Sequence, residues 1–371
     1  MSGLIVHEWI SKAGGSEKVL DAFTEIYPDA DIRCLWSDVN DRYADRNVHE
    51  TWMARTPLRK SKAVALPFMP VTWAIPPKKD FEWVLTSSHL FAHHARVMNG
   101  SLPARKFSYV HTPARYLWSS DLDERGANPA IRAVAPLFRV IDKAASKSTF
   151  EFAANSEFIR KRIQTTWGCD AKVIYPPVDV ARIQSVADWS DFVTGDERRV
   201  LDSLPTNFIL GASRFVPYKR LDLVIEAGLA SSLPVVIAGS GPGLRMLRER
   251  ADESGIPVIF VERPSDEMLF ALYQRAMVFV FPAIEDFGIM PVEAMACGTP
   301  VVVNAVGGAS ESVNAPIAGV AIEEFTGRAI ADAVYNSAGI ERDVVSENAR
   351  RFSLQRFKTE IAEWISRGNS I

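Results

Sequence analysis

Long apolar runs are missing from this sequence of 371 residues: none approaches the roughly 20 residues that cross a bilayer as a helix. The opening MSGLIVHEWI holds one short apolar run broken by His7 and Glu8, so neither a secretory leader nor a membrane anchor is expected. Cysteine is scarce. Cys34, Cys169 and Cys297 are too few and too far apart for a disulfide framework or a Cys-x-x-Cys metal site, which points to a reducing cytoplasm. Internal repeats and low-complexity tracts are absent too, excluding solenoids and propellers. The formal charge is only −3, but it is unevenly placed: 24 basic residues stand against 19 acidic ones up to Val178, and 18 against 26 beyond it. A nucleic-acid binder would be more basic overall, so a localised anionic partner of the first part is expected.

What is present reads as an α/β chain. Leu4 to His7, Asp31 to Leu35, Trp83 to Thr86, Lys106 to Val110, Phe152 to Ala154 and Ala171 to Ile174 are strand candidates in the first part. Phe208 to Gly211, Pro234 to Ala238, Val258 to Val261, Val278 to Phe281 and Val301 to Asn304 follow in the second. Helical-period segments separate many of them, the pattern of parallel doubly wound sheets. Pro176 and Pro177, after an apolar strand, can neither extend a ladder nor start mid-helix, and mark a domain boundary. Two Rossmann-like domains facing across a cleft are expected, 1–177 and 178–352.

The most informative segment runs from Phe281 to Val301. A strand ends near Phe281, a loop carries Glu285 and Gly288, and a short helix begins near Ile289 with Glu293 just over one turn inside. Free N–H groups at the helix start suit an anion, and two flanking carboxylates suit hydroxyls. Such a site fits a phosphorylated polyol. This segment resembles the E-x7-E signature of retaining GT-B glycosyltransferases, glycosyltransferase family 4, and the likeness extends along most of the chain. The resemblance implies that Glu285 contacts the donor sugar and Glu293 the nucleotide ribose, with Phe287, Gly288 and Ile289 also at the donor.

The remaining motifs are weighed against that likeness. Ser213-Arg214 with Lys219-Arg220 resembles the family's basic loop, which implies that Arg214 and Lys219 hold the donor diphosphate, while Arg220 stays a surface residue. Gly14-Gly15-Ser16-Glu17-Lys18 resembles its glycine loop after strand one, implying close approach to phosphate or sugar. Tyr109-Val110-His111 through Trp118 resembles the segment that carries an active-site histidine, and implies that His111 lies at the donor sugar. The other histidines, His7, His49, His89, His93 and His94, read as structural. Ser156 is a helix N-cap. Gly239-Ser240-Gly241-Pro242-Gly243 mimics a dinucleotide fingerprint, but Leu244 stands where the third glycine is needed. The family has a similar loop beside its nucleotide, which implies a donor role for Gly239 and places Glu262 near the base.

Between Trp52 and Lys79 the basic residues Arg55, Arg59, Lys60, Lys62, Lys78 and Lys79 interleave with Leu66, Phe68, Met69, Trp73 and Ile75, with no acidic residue. This composition suits an anionic membrane surface or a lipid-linked acceptor, as a peripheral protein on the inner face of the plasma membrane would need. The GT-B likeness further implies that a helix within 353–371 returns to the first domain, with Phe357, Ile361, Trp364 and Ile365 on one side. The expected activity is retaining, metal-independent hexosyl transfer onto a glycan or lipid-linked acceptor, with no cofactor beyond the nucleotide-sugar substrate. A GDP-sugar, with mannose first, is favoured over a UDP-sugar. The rivals are a UDP-sugar transferase, a GT-B sugar-nucleotide epimerase or hydrolase, and a non-catalytic nucleotide-sugar binder.

Overall fold

The computed structural model describes residues 2–12, 14–39, 41–119 and 129–369, with backbone alone for 129–132 and 368–369. The chain divides into two compact units, Met1–Pro177 with Gln355–Ile371, and Val178–Leu354. Both are built on parallel sheets, and the short Val, Ile, Leu and Phe runs form the strands because such side chains fill a pleated surface covered on both faces.

In the first unit the strands are β1 (Gly3–His7), β2 (Asp31–Cys34), β3 (Val48–Glu50), β4 (Trp83–Ser88), the hairpin β5 (Met98–Asn99) and β6 (Leu102–Pro103), β7 (Arg105–Val110), β8 (Glu151–Ala154) and β9 (Lys172–Val173). The main sheet has the order β3-β2-β1-β4-β7-β8-β9. Every pair in it is parallel, and β1 and β4 are buried along their whole length. The chain winds outward in both directions from β1 and β4, whose carboxyl ends therefore flank a topological switch point, where such folds bind ligands.

The second unit repeats the plan with β10 (Ile209–Arg214), β11 (Val235–Ser240), β12 (Val258–Glu262), β13 (Val278–Phe281), β14 (Val301–Asn304) and β15 (Gly319–Ile322). Its order is β12-β11-β10-β13-β14-β15, all parallel, with the switch between β10 and β13. Val224, Ile225, Ile237, Val278, Val280, Val302, Ile330 and Val334 form its core.

The helix Leu354–Asn369 belongs to the first unit over nearly all its length. Phe357 packs on Phe23 and Tyr109 at ring separations of 5.8 and 5.7 Å, Trp364 packs on Phe107, and its indole N–H donates to Glu151 at 2.8 Å. Residues 370 and 371 of the expected returning stretch lie outside the described residues. The outgoing and returning strands of chain run together: Val178 N–H donates to the Phe352 carbonyl at 2.9 Å, and Val178 bridges Ser353 in parallel. Among the described residues no helix is long and apolar enough to cross a membrane.

Candidate functional site

At the first switch point β1 ends in His7 and β4 ends in Ser87 and Ser88, with His7 and Ser87 in register. The Ser87 hydroxyl lies 3.0 Å from His7 Nδ1 and 2.8 Å from His111 Nε2, so one hydroxyl links two imidazoles from strands on either side of it. His89 adds a third ring, 5.7 Å from His7 and 6.3 Å from His111, edge-on to Trp9 at 4.7 Å. Glu8 is fully buried beneath them, accepting from the backbone N–H groups of Leu90 at 2.9 Å and Ala92 at 2.7 Å, with its carboxylate 3.3 Å from His89 Nδ1. Burial, with the neighbouring His89, lowers His7 to about 4. Burial and then His89 and His7 hold His111 well below the ordinary histidine range. Both rings are therefore neutral at neutral pH, and what they offer is directed hydrogen bonding. Sequence reasoning singled out His111 alone; His7 and His89 join it because the strand order places chain positions 80 or more residues apart side by side.

The helix Gly15–Ile26 opens beside this cluster. Its own Glu17, almost fully buried, accepts from Ser11 N–H at 3.2 Å and from the Ser16 hydroxyl at 2.9 Å. Burial alone would raise the Glu17 carboxyl, but the nearby His7 and these hydrogen bonds bring it below the usual range. The dipole expected to meet an external anion is thus complemented from within, and Gly14 is confined by the same group, since a Cβ there would fall 2.2 Å from Glu17 Oε2.

At the second switch point the loop after β10 meets the loop after β13. Lys219 ends the 3-10 turn Pro217–Lys219, and its ammonium donates to Glu285 Oε1 at 2.5 Å. The pair is mostly buried, with 13% and 17% of the two side chains exposed, and Lys219 lies over the Phe281 and Tyr218 rings at 5.7 and 5.3 Å. Arg214 at the end of β10 is exposed and donates to the Tyr218 hydroxyl at 2.5 Å. Glycines make this close loop packing feasible: a Cβ on Gly239, whose φ is 137°, would fall 1.9 Å from the Ser213 carbonyl.

The helix Ile289–Ala296 begins after Gly288, whose φ of 90° turns the chain into it. Glu293 is 9% exposed, and its charge, after burial itself, adds to the upward push on the Tyr273 hydroxyl and the Cys297 thiol. The Phe287 side chain is buried against Phe352 at 5.4 Å, so it serves packing, and only its loop position puts it with the site. Glu262 stands apart at the end of the edge strand β12, half exposed and paired with Arg248 at 2.7 Å. Sequence reasoning missed Gly307 and Gly308. The Gly308 N–H donates to the Glu285 carbonyl at 2.8 Å, and a Cβ on Gly308 would fall 2.1 Å from the Asp286 carbonyl, so this turn holds the Glu285 loop. The signal was there: a glycine pair after a strand, before the short helix Gly308–Val313 with Glu311 in its first turn.

Two further features lie in the first unit. His93 and His94 approach one oxygen of the buried Asp142 at 3.2 and 2.8 Å, and the indoles of Trp118 and Trp167 donate to the other at 2.8 and 2.7 Å. Among the described residues this is the one group of three spaced to share a cation, and its contacts are equally those of a buried carboxylate that accepts from His94, Trp118 and Trp167 with the His93 ring close by. Residues 52 to 74 fold into short helical turns that bury Leu66, Met69 and Trp73 and leave Trp52, Val64, Phe68 and Val71 exposed, as is Ile75 just beyond. Of the basic residues there, Arg59 pairs with Asp38 at 3.2 Å, Lys79 with Asp31 at 2.8 Å, and Lys62 lies over the Trp9 ring at 4.0 Å; Arg55, Lys60 and Lys78 are exposed.

Residues 195–352 match the family model described as Glycosyl transferases group 1. The D-inositol 3-phosphate glycosyltransferase of Mycolicibacterium smegmatis is 33% identical over 213 residues, 53% of this chain and 45% of that protein. The Mycobacterium bovis protein of the same name is 31% identical over 240 residues, 61% of this chain and 47% of that one. The chain thus spans about half the length of the curated relatives it matches. Anabaena HepE in complex with UDP superposes with a TM-score of 0.72 at 17% identity, covering 99% of this chain and 100% of that one. Sucrose-phosphate synthase from Thermosynechococcus elongatus gives 0.73 at 17% identity with full coverage of both. The fold is the GT-B glycosyltransferase fold, α/β with parallel sheets in two domains.

Proposed function

We propose that this chain is a retaining glycosyltransferase that moves a hexose from a nucleoside diphosphate sugar onto a glycan or lipid-linked acceptor. The observation that carries the reading is the Lys219–Glu285 pair, a mostly buried cation and carboxylate at the switch point of the second sheet, inside the segment matched by the transferase model. A leaving nucleoside diphosphate gains negative charge as the glycosidic bond breaks, and a fixed ammonium opposes that charge without reorganisation. Lys219 and Arg214 are assigned to the diphosphate, Glu285 to the sugar hydroxyls, Glu293 to the ribose and His111 to the donor sugar. Acceptor attack on the face the diphosphate leaves accounts for retention with Glu285 as a hydroxyl ligand, the diphosphate oxygen taking the acceptor's proton.

For the donor, the segment from His111 to Trp118 resembles that of bacterial mannosyl- and deoxyhexosyltransferases of polysaccharide assembly more than that of sucrose or glycogen synthases, which supports GDP-mannose. The second reading, a UDP-sugar, is supported by the complexes of HepE with UDP and with UDP-glucose. Arg55, Lys60 and Lys78 beside exposed Phe68, Val71 and Ile75 support peripheral attachment to an anionic membrane on the cytoplasmic side. Thermal stabilisation by GDP, UDP, ADP and dTDP, followed by transfer assays with the matching sugar nucleotides, tests the reading. A shift with one nucleotide and turnover of its sugar is the expected result. No shift with any of them removes the proposal.

A further inference from the structure

Ser87 stands between two neutral imidazoles, and a hydroxyl has one proton. Placed 3.0 Å from His7 Nδ1 and 2.8 Å from His111 Nε2, it must donate to one nitrogen and accept from the other. Two arrangements satisfy this. In one, both rings carry their proton on Nδ1: His7 donates to Ser87, which donates to His111. In the other, both carry it on Nε2: His111 donates to Ser87, which donates to His7. No mixed arrangement keeps both hydrogen bonds, so the two tautomers are coupled through the hydroxyl.

The Nε2 of His7 is buried and has no hydrogen-bond partner among the described residues, so its proton position is passed on through Nδ1 and the Ser87 hydroxyl. We infer that Ser87 is a positioning residue that couples the two rings, both carrying their proton on Nε2 or both on Nδ1, and so decides whether His111 turns a lone pair or an N–H at Nδ1 to a hydroxyl of the bound sugar. The His111 backbone is fixed as well, its N–H donating to the Ser88 carbonyl at 2.8 Å, and its ring stands edge-on to Tyr109 at 5.2 Å. Ring position and proton position are thus set by different contacts. The sugar-facing role rests on the proposed transferase reading; the coupled tautomers do not.

Nitrogen-15 spectra of histidine-labelled wild-type protein, assigned with His7→Gln and His111→Gln variants, read the tautomers directly and need no ligand. Both rings protonated on the same nitrogen, Nε2 in both or Nδ1 in both, is the expected result; one ring protonated on Nδ1 and the other on Nε2 overturns the inference. In Ser87→Ala the two tautomers uncouple, and His111 becomes a mixture. Turnover of the sugar nucleotide that the wild type uses then falls at least tenfold in kcat with KM within about threefold, and Ser87→Thr, which keeps the hydroxyl, restores both the spectrum and most of the rate. An alanine variant with an unchanged His111 spectrum overturns the coupling. Should it fail to fold, the wild-type and threonine spectra still decide. A wild type that turns over no sugar nucleotide defeats the transferase reading while its spectrum still reports on the coupling.

Discussion

Lys219 and Glu285, 66 positions apart in the chain, meet as an ion pair 2.5 Å long where the loops after β10 and β13 converge. Neither side chain is where it is by local preference. The switch in strand order brings the two loops together, and the glycine turn at Gly307 and Gly308 holds the Glu285 backbone in place.

Replacing Lys219 by alanine leaves the Glu285 carboxylate without that cation and removes the charge assigned to the diphosphate. A loss of at least tenfold in kcat is expected, measured as steady-state transfer from the sugar nucleotide that stabilises the wild type, with a comparable loss for Glu285→Gln. Rates within twofold of wild type in both variants would remove the site assignment.

Gly239 tests the packing beneath that site. Alanine there combines a Cβ 1.9 Å from the Ser213 carbonyl with a φ of 137°, so the β10 and β11 ends must separate. A cost of about 2–4 kcal/mol is expected, read as a fall of roughly 5–10 °C in the melting midpoint together with a smaller nucleotide-induced shift. An unchanged midpoint would show that the loop opens freely.

Acid should destabilise the protein well before its carboxylates protonate. His7 and His94 titrate near 4 when folded, in both cases chiefly because burial disfavours their charged forms, against 6.5 when unfolded. Between these values the unfolded chain binds more protons, so stability is full above about pH 6.5 and falls as pH drops towards 4, by on the order of 3 kcal/mol per histidine. Buried Lys106, lowered to about 7, acts in the same sense higher up, adding stability as pH rises from 7 towards 10.5. Urea midpoints from pH 4.5 to 9 should therefore climb, and a flat profile below 6.5 would contradict the buried histidine network.

Membrane attachment is tested at Lys60 and Lys78, which no acidic side chain among the described residues pairs. Lys60→Glu with Lys78→Glu should reduce co-sedimentation with phosphatidylglycerol vesicles at least tenfold, since each basic group near such a surface contributes about 1 kcal/mol. Reversal of Arg59, already paired with Asp38, should do less. Equal binding of wild type and double variant would assign the segment to packing alone.

Much of the architecture was legible because a strand buried on both faces must be an unbroken apolar run, and nearly every such run became a strand of the sheets. Val48–Glu50 and Gly319–Ile322 escaped notice for the converse reason: they are short outer strands with partly exposed side chains, so burial left little mark on their composition. The spacing of Glu285 and Glu293 across one loop and one helix marked a pair of carboxylates flanking a helix start, whereas the roles expected of Arg214 and Lys219, in another loop, came from the family resemblance. The His7–Ser87–His111 chain was not, since no local spacing records which strands become neighbours. Asp142, with donors from His94, Trp118 and Trp167, escaped for the same reason.

The returning helix has a consequence for the order of events during synthesis. The second unit is one unbroken stretch, 178 to 354, with its two ends hydrogen-bonded side by side, so it has all its parts as soon as it leaves the ribosome. The first unit, although begun earlier, lacks Phe357, Ile361 and Trp364 until the end, and the faces of Phe23, Tyr109 and Phe107 that they cover stay wet until then. The half made first is therefore the half finished last, and a chain stalled or cut before residue 355 carries an intact later unit tethered to an uncovered earlier one.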